Sequence, residues 1–79
     1  MPDALDPVNK VVLLLATAPS VKDILEYRPS SADEERFTLL IQKKRSGELS
    51  QLEREEIRGF ELAEHMIRMA KLHAAKQRA

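Results

Sequence analysis

Apolar residues recur at three- and four-residue steps through the last third of the chain, from Ser50 to Ala79. That spacing places them on one face of a helix. The face comprises Phe60, Ala63, Ile67, Ala70 and Ala74. The segment from Ser50 to Glu53 is a capping box, in which a serine hydroxyl and a glutamate carboxylate each accept from a backbone N–H at a helix start. No proline follows it, so the pattern predicts one long C-terminal helix.

Two shorter helices are predicted at the start of the chain, each between clear boundary signals. Asp6-Pro7, an N-cap residue followed by proline at the first helical position, starts the first helix, and Ala18-Pro19 ends it. A second capping signal covers residues 20 to 23, and Arg28-Pro29 closes that short helix. Because the first helix is apolar nearly all round, we expect it to be central in the fold.

A third helix is predicted between these and the long helix. Ser31-Ala32-Asp33-Glu34 is its capping signal, and it runs to about Arg45, with Gly47 as the left-handed terminating residue. Only residues 46 to 49 separate it from the long helix. So short a connection predicts that the third and fourth helices are antiparallel neighbours.

These elements predict an all-α fold class: a small helical bundle with a C-terminal antiparallel helical hairpin. Phe37, Phe60 and Ile67 are expected to form the contact between the two helices of the hairpin. The chain has 79 residues, which are expected to form a single all-helical interaction domain over residues 1 to 79.

The composition favours association with another protein chain. There is no cysteine to form a disulfide or a thiolate zinc site, and a core of this size supplies only roughly 3–5 kcal/mol. Leu62, Met66 and Met69 widen the apolar face of the last helix beyond what one short helix covers. We therefore predict a homodimer or a complex with a different protein.

Charge and hydropathy make several other partners less favoured. Thirteen basic and thirteen acidic residues cancel, which gives no reason to expect nucleic-acid or membrane binding. The C-terminal end is basic after Glu64, but its charges are spread and no aromatic residue lies among them, so nucleic acid is the less favoured partner. The apolar run from Val11 to Ala18 ends in an Ala-x-Ala pattern, but acidic residues precede it. A secretory signal is therefore not predicted, and a cytoplasmic protein is expected.

No catalytic arrangement, glycine-rich phosphate loop or cofactor motif is visible, so we do not expect an enzyme. His65 and His73 are separated by ~12 Å of helical rise and cannot share one metal ion. Glu61 and His65 are interpreted as an exposed pair, because two ligands alone make a poor metal site. Gly59 lies inside the long helix, where a kink, the close approach of another helix or tolerance at a surface each account for it.

The order of helix caps and packing positions carries a resemblance to a known group of proteins. Its motifs here are Leu14-Leu15-Ala16, Pro19-Ser20 with Ile24-Leu25, Arg28-Pro29-Ser30, Lys43 to Ser50, Glu53 to Glu56, and Glu64 to Lys71. In this order they resemble a C-terminal helical module of small cyanobacterial antitoxin-type proteins. The resemblance implies a bacterial protein that neutralises a toxin by binding it.

The predicted function is therefore a non-enzymatic protein-interaction module of toxin-neutralising antitoxin type. Its expected partner-binding residues are Arg68, Met69, Lys71 and Leu72, within a contact region of residues 65 to 79. Arg68 would pair with a carboxylate while Met69 and Leu72 fill a groove. The alternative is a homodimeric helical assembly or regulatory factor in a cytoplasmic complex, photosynthetic or metabolic. A neighbouring gene whose product is toxic alone would favour the first function.

Overall fold

The computed structural model describes residues 6–78, and of Arg78 only the backbone. Within that range the chain forms helices and no strand, so the predicted all-α class is confirmed. The helices are α1 (Pro7–Ala16), α2 (Val21–Glu26), α3 (Ser31–Arg45) and α4 (Gln51–Arg78). Residues 1 to 5 and Ala79, at the two ends of the expected interaction domain, lie outside the described residues.

Three of the four predicted helix starts are confirmed by their capping hydrogen bonds. Asp6 accepts from the backbone N–H of Asn9 at 2.8 Å and starts α1. The capping box of α2 is complete, with Ser20 as its N-cap. At the start of α4, the N–H of Glu53 donates to the Ser50 hydroxyl at 3.1 Å, and the N–H of Ser50 donates to the Glu53 carboxylate at 3.0 Å.

The predicted start of α3 is wrong by one residue. The N-cap is Ser30, whose backbone is extended and whose hydroxyl accepts from the N–H of Asp33 at 3.2 Å. Ser31 is the first helical residue instead. The two serines each stand three residues before an acidic residue, so the pattern alone does not separate them.

The long helix α4 is the element on which the other three helices pack. Its buried residues include Ala63, Ile67 and Ala74, and Phe60 and Ala70 are half-buried, as the periodicity predicts. Ala63 and Ile67 form one cluster with Val11 of α1. The packed residues around that cluster are Val8, Leu14, Tyr27, Met66 and Ala70.

The expectation that α1 is central is wrong. Val11 is its one fully buried residue, and it faces α4. The opposite side is in solvent, where the exposed fractions of Val12 and Leu13 are 46% and 50%. The physical reason is that α4 already offers a long apolar stripe, and each shorter helix needs only one of its faces to cover part of that stripe.

Contacts between α3 and α4 combine one aromatic pair with ion pairs. The rings of Phe37 and Phe60 lie with their centroids 5.3 Å apart. Arg36 pairs with Glu56, and Lys43 pairs with Glu53. Ile67, which was expected to share this contact, instead belongs to the cluster with Val11 of α1.

The molecule is elongated over the described residues. Its radius of gyration is 14.2 Å and its extents are 44 × 24 × 18 Å, whereas a compact domain of this length has a radius of gyration of about 12 Å. The 28 residues of α4 account for the long dimension, because a helix rises about 1.5 Å per residue. None of the helices described is long and apolar enough to cross a membrane.

Candidate functional site

Three of the four residues predicted to bind a partner, Arg68, Lys71 and Leu72, line one groove between α2 and α4, and Met69 lies beside it on the helix surface. Met69 and Leu72 are exposed and three residues apart, so they are neighbours on the helix surface. Arg68 is also exposed, and its guanidinium pairs with Glu64 one turn earlier. Lys71 is half-buried and its ammonium donates to the backbone carbonyl of Tyr27 at 3.0 Å. Arg68, Met69 and Leu72 thus remain accessible together, while Lys71 reaches toward the end of α2.

An exposed apolar strip follows α4, and we call it the outer α4 surface: Leu62, Met69 and Leu72. Leu62 and Met69 are two helical turns apart and therefore share one side of the helix. Leu72 lines a shallow groove between α2 and α4 together with Leu25 and Arg68. This surface offers apolar contact area beside Arg68, and the ion-pair partner of Arg68, Glu64, is itself exposed to solvent.

A second exposed apolar region lies on α1, and we call it the outer α1 surface: Val12, Leu13 and Leu15. The sequence interpretation missed it because it expected α1 to be buried on all sides. No charged residue occurs from Val11 to Ala18, so this surface has no charge of its own. Its signal in the sequence was the continuous apolar run, which is wider than the single face that packs on α4.

The carboxylates between α3 and α4 have structural partners. Glu56 accepts two hydrogen bonds from the Arg36 guanidinium, at 2.7 and 2.8 Å, and this pairing lowers the pKa of Glu56. Hydrogen bonds from Lys43 and from the Ser50 backbone lower the pKa of Glu53 from 4.5 to about 2. Both residues are therefore explained by the contact between the two helices and need no ligand.

One further ion pair joins α1 to α3. The Lys10 ammonium lies 2.7 Å from the carboxylate of Asp33, a residue that is buried to all but 9% of its surface. Burial raises the pKa of the Tyr27 hydroxyl, while the Lys10 charge lowers it and the Asp33 carboxylate raises it. This cluster fixes the first turn of α3 against α1.

The histidines lie in solvent. Glu61, His65 and His73 are all exposed on α4. Within residues 6–77, no group of three histidine, cysteine, aspartate or glutamate side chains is placed to hold a metal ion.

A cleft of about 280 Å³ opens between α1, α3 and α4. Its floor is apolar and is formed by Val11, Phe37, Phe60, Ala63 and Ile67. Its rim carries Tyr27, Arg28, Glu34 and Lys71, among other residues. The sequence interpretation missed this cleft because its residues come from three helices and the α2–α3 connection, and no local motif joins them.

Comparison with known proteins found no match for this chain among protein-family models, curated proteins or solved structures.

Proposed function

We propose that this chain is a non-enzymatic protein-interaction module that binds a protein partner in the cytoplasm through the outer α4 surface. The observation that supports this most is the exposure of Leu62, Met69 and Leu72 along the side of α4 that its own helices leave uncovered. Exposed apolar residues that line up on one side of a helix are typical of helix-in-groove binding.

Arg68 adds charge to this proposed contact. Its present ion pair with Glu64 is a solvent-exposed pair four residues apart, and such pairs contribute less than about 1 kcal/mol. Exchanging Glu64 for a carboxylate of the partner as the ion-pair partner of Arg68 therefore costs little free energy. A bidentate pair shielded from water inside the contact contributes more than the exposed pair. We expect the partner groove to be apolar with an acidic border.

The kind of partner we propose is a toxin protein of the same cell. This part of the proposal is based only on the resemblance of the chain's motifs to antitoxin-type modules. Its test is genetic: a neighbouring gene should be toxic when expressed alone and harmless when this chain is expressed with it. Toxicity that this chain does not relieve would contradict an antitoxin function.

The second candidate function is a homodimeric assembly or regulatory factor, and the outer α1 surface favours it. A two-fold contact brings the same surface of both copies together, and an apolar surface without charge suits such a contact. In this candidate, α3 and α4 would act as an antiparallel hairpin that supports the dimer. The pairing of Lys43 with Glu53 and of Arg36 with Glu56 supports that arrangement, because later residues of α3 meet earlier residues of α4.

Two matched double variants separate the candidates. Met69→Gln with Leu72→Gln makes the outer α4 surface polar, and Val12→Gln with Leu13→Gln does the same to the outer α1 surface. All four side chains are exposed, so both variants should keep the parent helix content. Point changes are preferable to removing residues 72 to 79, because that truncation also deletes Ala74, which is buried.

The measurement is quantitative co-purification from the native cells, combined with sedimentation of each purified variant. The proposed function predicts that the α4 variant loses a partner protein that the α1 variant retains. The homodimer candidate predicts a dimer at micromolar concentration that only the α1 variant dissociates. A partner retained equally by both variants would overturn the proposed use of the outer α4 surface.

A further inference from the structure

The cleft between α1, α3 and α4 has a size and a floor that suit a small organic molecule. Phe37, Phe60 and Ile67 give it an apolar floor, and its volume is about 280 Å³. An apolar cavity of about 150 Å³ holds one benzene ring. The cleft therefore has room for one ring, or a branched chain of similar size, with a short polar end.

Two cations meet at one point on the rim of this cleft. The ammonium of Lys71 donates to the carbonyl oxygen of Tyr27 at 3.0 Å, and the guanidinium of Arg28 donates to the same oxygen at 3.4 Å. Because both nitrogens are within hydrogen-bond distance of one atom, the two positive charges are close neighbours. Neither side chain forms an ion pair with any carboxylate in the described part of the chain.

This pair of cations keeps hydrogen-bonding capacity for a ligand. An ammonium has three N–H groups and a guanidinium has five, while the structure shows one hydrogen bond from each. Lys71 is also half-buried, and a partly desolvated cation gains most from a negative partner. The position therefore favours an anionic group next to an apolar body.

The acidic residues on the same rim do not cancel this charge. Asp33 is paired with Lys10, and Glu64 is paired with Arg68. Glu34 is the remaining carboxylate in the lining, and it is exposed to solvent on α3. Arg28 and Lys71 carry two positive charges without ion pairs, and Glu34 carries one negative charge. The rim is therefore positive.

From this arrangement we infer that the cleft binds a small organic carboxylate with an aromatic or branched aliphatic body. The carboxylate accepts hydrogen bonds from Lys71 and Arg28 beside the Tyr27 carbonyl. The apolar body lies on Phe37, Phe60 and Ile67. This site does not include Leu62, Met69 or Leu72 of the outer α4 surface, but Glu64 links the two, because its partner Arg68 also belongs to the proposed protein contact.

The test uses three probes that share one aromatic ring and differ in charge: 3-phenylpropionate, 3-phenylpropanamide and phenethylamine. Each is titrated into the full chain and followed by NMR. The ring signals of Tyr27 report on the site directly, because it is the only tyrosine of the sequence. We expect the carboxylate to bind about tenfold more tightly than the neutral amide, and the amine to bind most weakly. The shifted signals should belong to the lining residues.

Variants then assign the charge contact. Lys71→Gln and Arg28→Gln should each weaken 3-phenylpropionate binding by about three- to tenfold, because each removes a charge-assisted hydrogen bond. Lys76→Gln is the matched control: it removes one positive charge from an exposed position of α4 that does not line the cleft. Arg28 is exposed, so its variant keeps the test valid if Lys71→Gln lowers helix content.

Three results would overturn the inference. The first is equal affinity for the carboxylate and the amide. The second is equal weakening by Lys76→Gln, which would indicate a general charge effect. The third is the absence of saturable binding up to about 10 mM of the carboxylate, which is weaker than any built site of this size should be. None of these results bears on the double-variant co-purification test of the proposed function.

Discussion

Two neighbouring stretches of α4 are held by different sets of contacts. The first stretch, up to Phe60, meets α3 through the ion pairs of Glu53 and Glu56 and through the contact of Phe60 with Phe37, and it also contains the buried Ile57. The second stretch, from Ala63 onward, meets α1 through an apolar cluster that includes Ala63 and Ile67. Charged contacts respond to pH and salt, whereas apolar contacts respond to lost volume. The first stretch of α4 therefore combines ion pairs with apolar burial, and the second is held to α1 by the apolar cluster.

Ile67→Ala should have the largest effect on folding among these variants, because it removes a buried aliphatic side chain from the apolar cluster that α1 and α4 share. Buried Ile→Ala changes cost about 2–5 kcal/mol. That range is comparable to the whole stability of a chain this small, roughly 3–5 kcal/mol. We expect urea unfolding, followed by circular dichroism, to show a variant that is largely unfolded or has lost most of its stability.

Leu62→Ala is the matched control for that variant. Leu62 lies on the same helix but is exposed, so its change should stay within about 0.5 kcal/mol of the parent. Similar losses from Ile67→Ala and Leu62→Ala would mean that the placement of the core is wrong.

The ion pairs between α3 and α4 predict that stability depends on acid. A carboxylate whose pKa is lower in the folded chain than in the unfolded chain stabilises the fold above its unfolded pKa, and that contribution is lost as the pH falls. For Glu53, whose pKa falls from 4.5 to about 2, the loss occurs across that interval. Glu56, whose pKa is also lowered, acts in the same direction. The melting temperature should therefore fall steadily as the pH is lowered through this window.

Glu53→Gln isolates the contribution of that residue. Glutamine can still accept from the Ser50 N–H in a capping box, but it cannot form the ion pair with Lys43. The variant should melt below the parent at pH 7, and the two melting curves should converge in acid. Glu55 is exposed on the same turn, so Glu55→Gln should leave the dependence of the melting temperature on pH unchanged. A constant gap between parent and Glu53→Gln at every pH would contradict this assignment.

The smallest predicted effect comes from the two glycines, of which Gly59 lies inside α4 and Gly47 lies after the end of α3. A Cβ at Gly59 or at Gly47 would meet nothing within 4 Å, but Gly47 has a φ of +73°. Gly59→Ala should stabilise the chain by up to about 1 kcal/mol, because alanine favours a helix. Gly47→Ala should destabilise it by about 1 kcal/mol, because alanine disfavours the left-handed region. Thermal unfolding measures the change in stability of each variant, and changes of the same sign would contradict this prediction.

Local features of the fold were predictable from the sequence, and non-local ones were not. Capping boxes at Ser20 and Ser50 depend on residues three apart, so the sequence contains the whole signal. The start of α3 was misplaced because Ser30 and Ser31 satisfy the same rule. The position of α1 was misjudged because a helix that is apolar on every side does not indicate which side is buried.

The candidate sites also contain local features, which the sequence predicts, and non-local features, which it does not. Met69 and Leu72 were predicted as exposed residues from their position on α4, and they are exposed. The hydrogen bond from Lys71 to Tyr27 joins residues 44 positions apart, and no pattern in the sequence indicates it. For the same reason, the cleft above Phe37 and Phe60 became visible only in the folded chain.

Site-specific photocrosslinking in the native cells tests the central claim most directly. A photoreactive phenylalanine analogue replaces Leu72 on the outer α4 surface, or replaces Leu52 on the first turns of α4 as the control. The exposed fraction of Leu52 is 76%, against 51% for Leu72, so accessibility alone would favour capture at position 52. The account predicts a defined crosslinked protein at position 72 and none at position 52. Equal or stronger capture of the same protein at position 52 would contradict it.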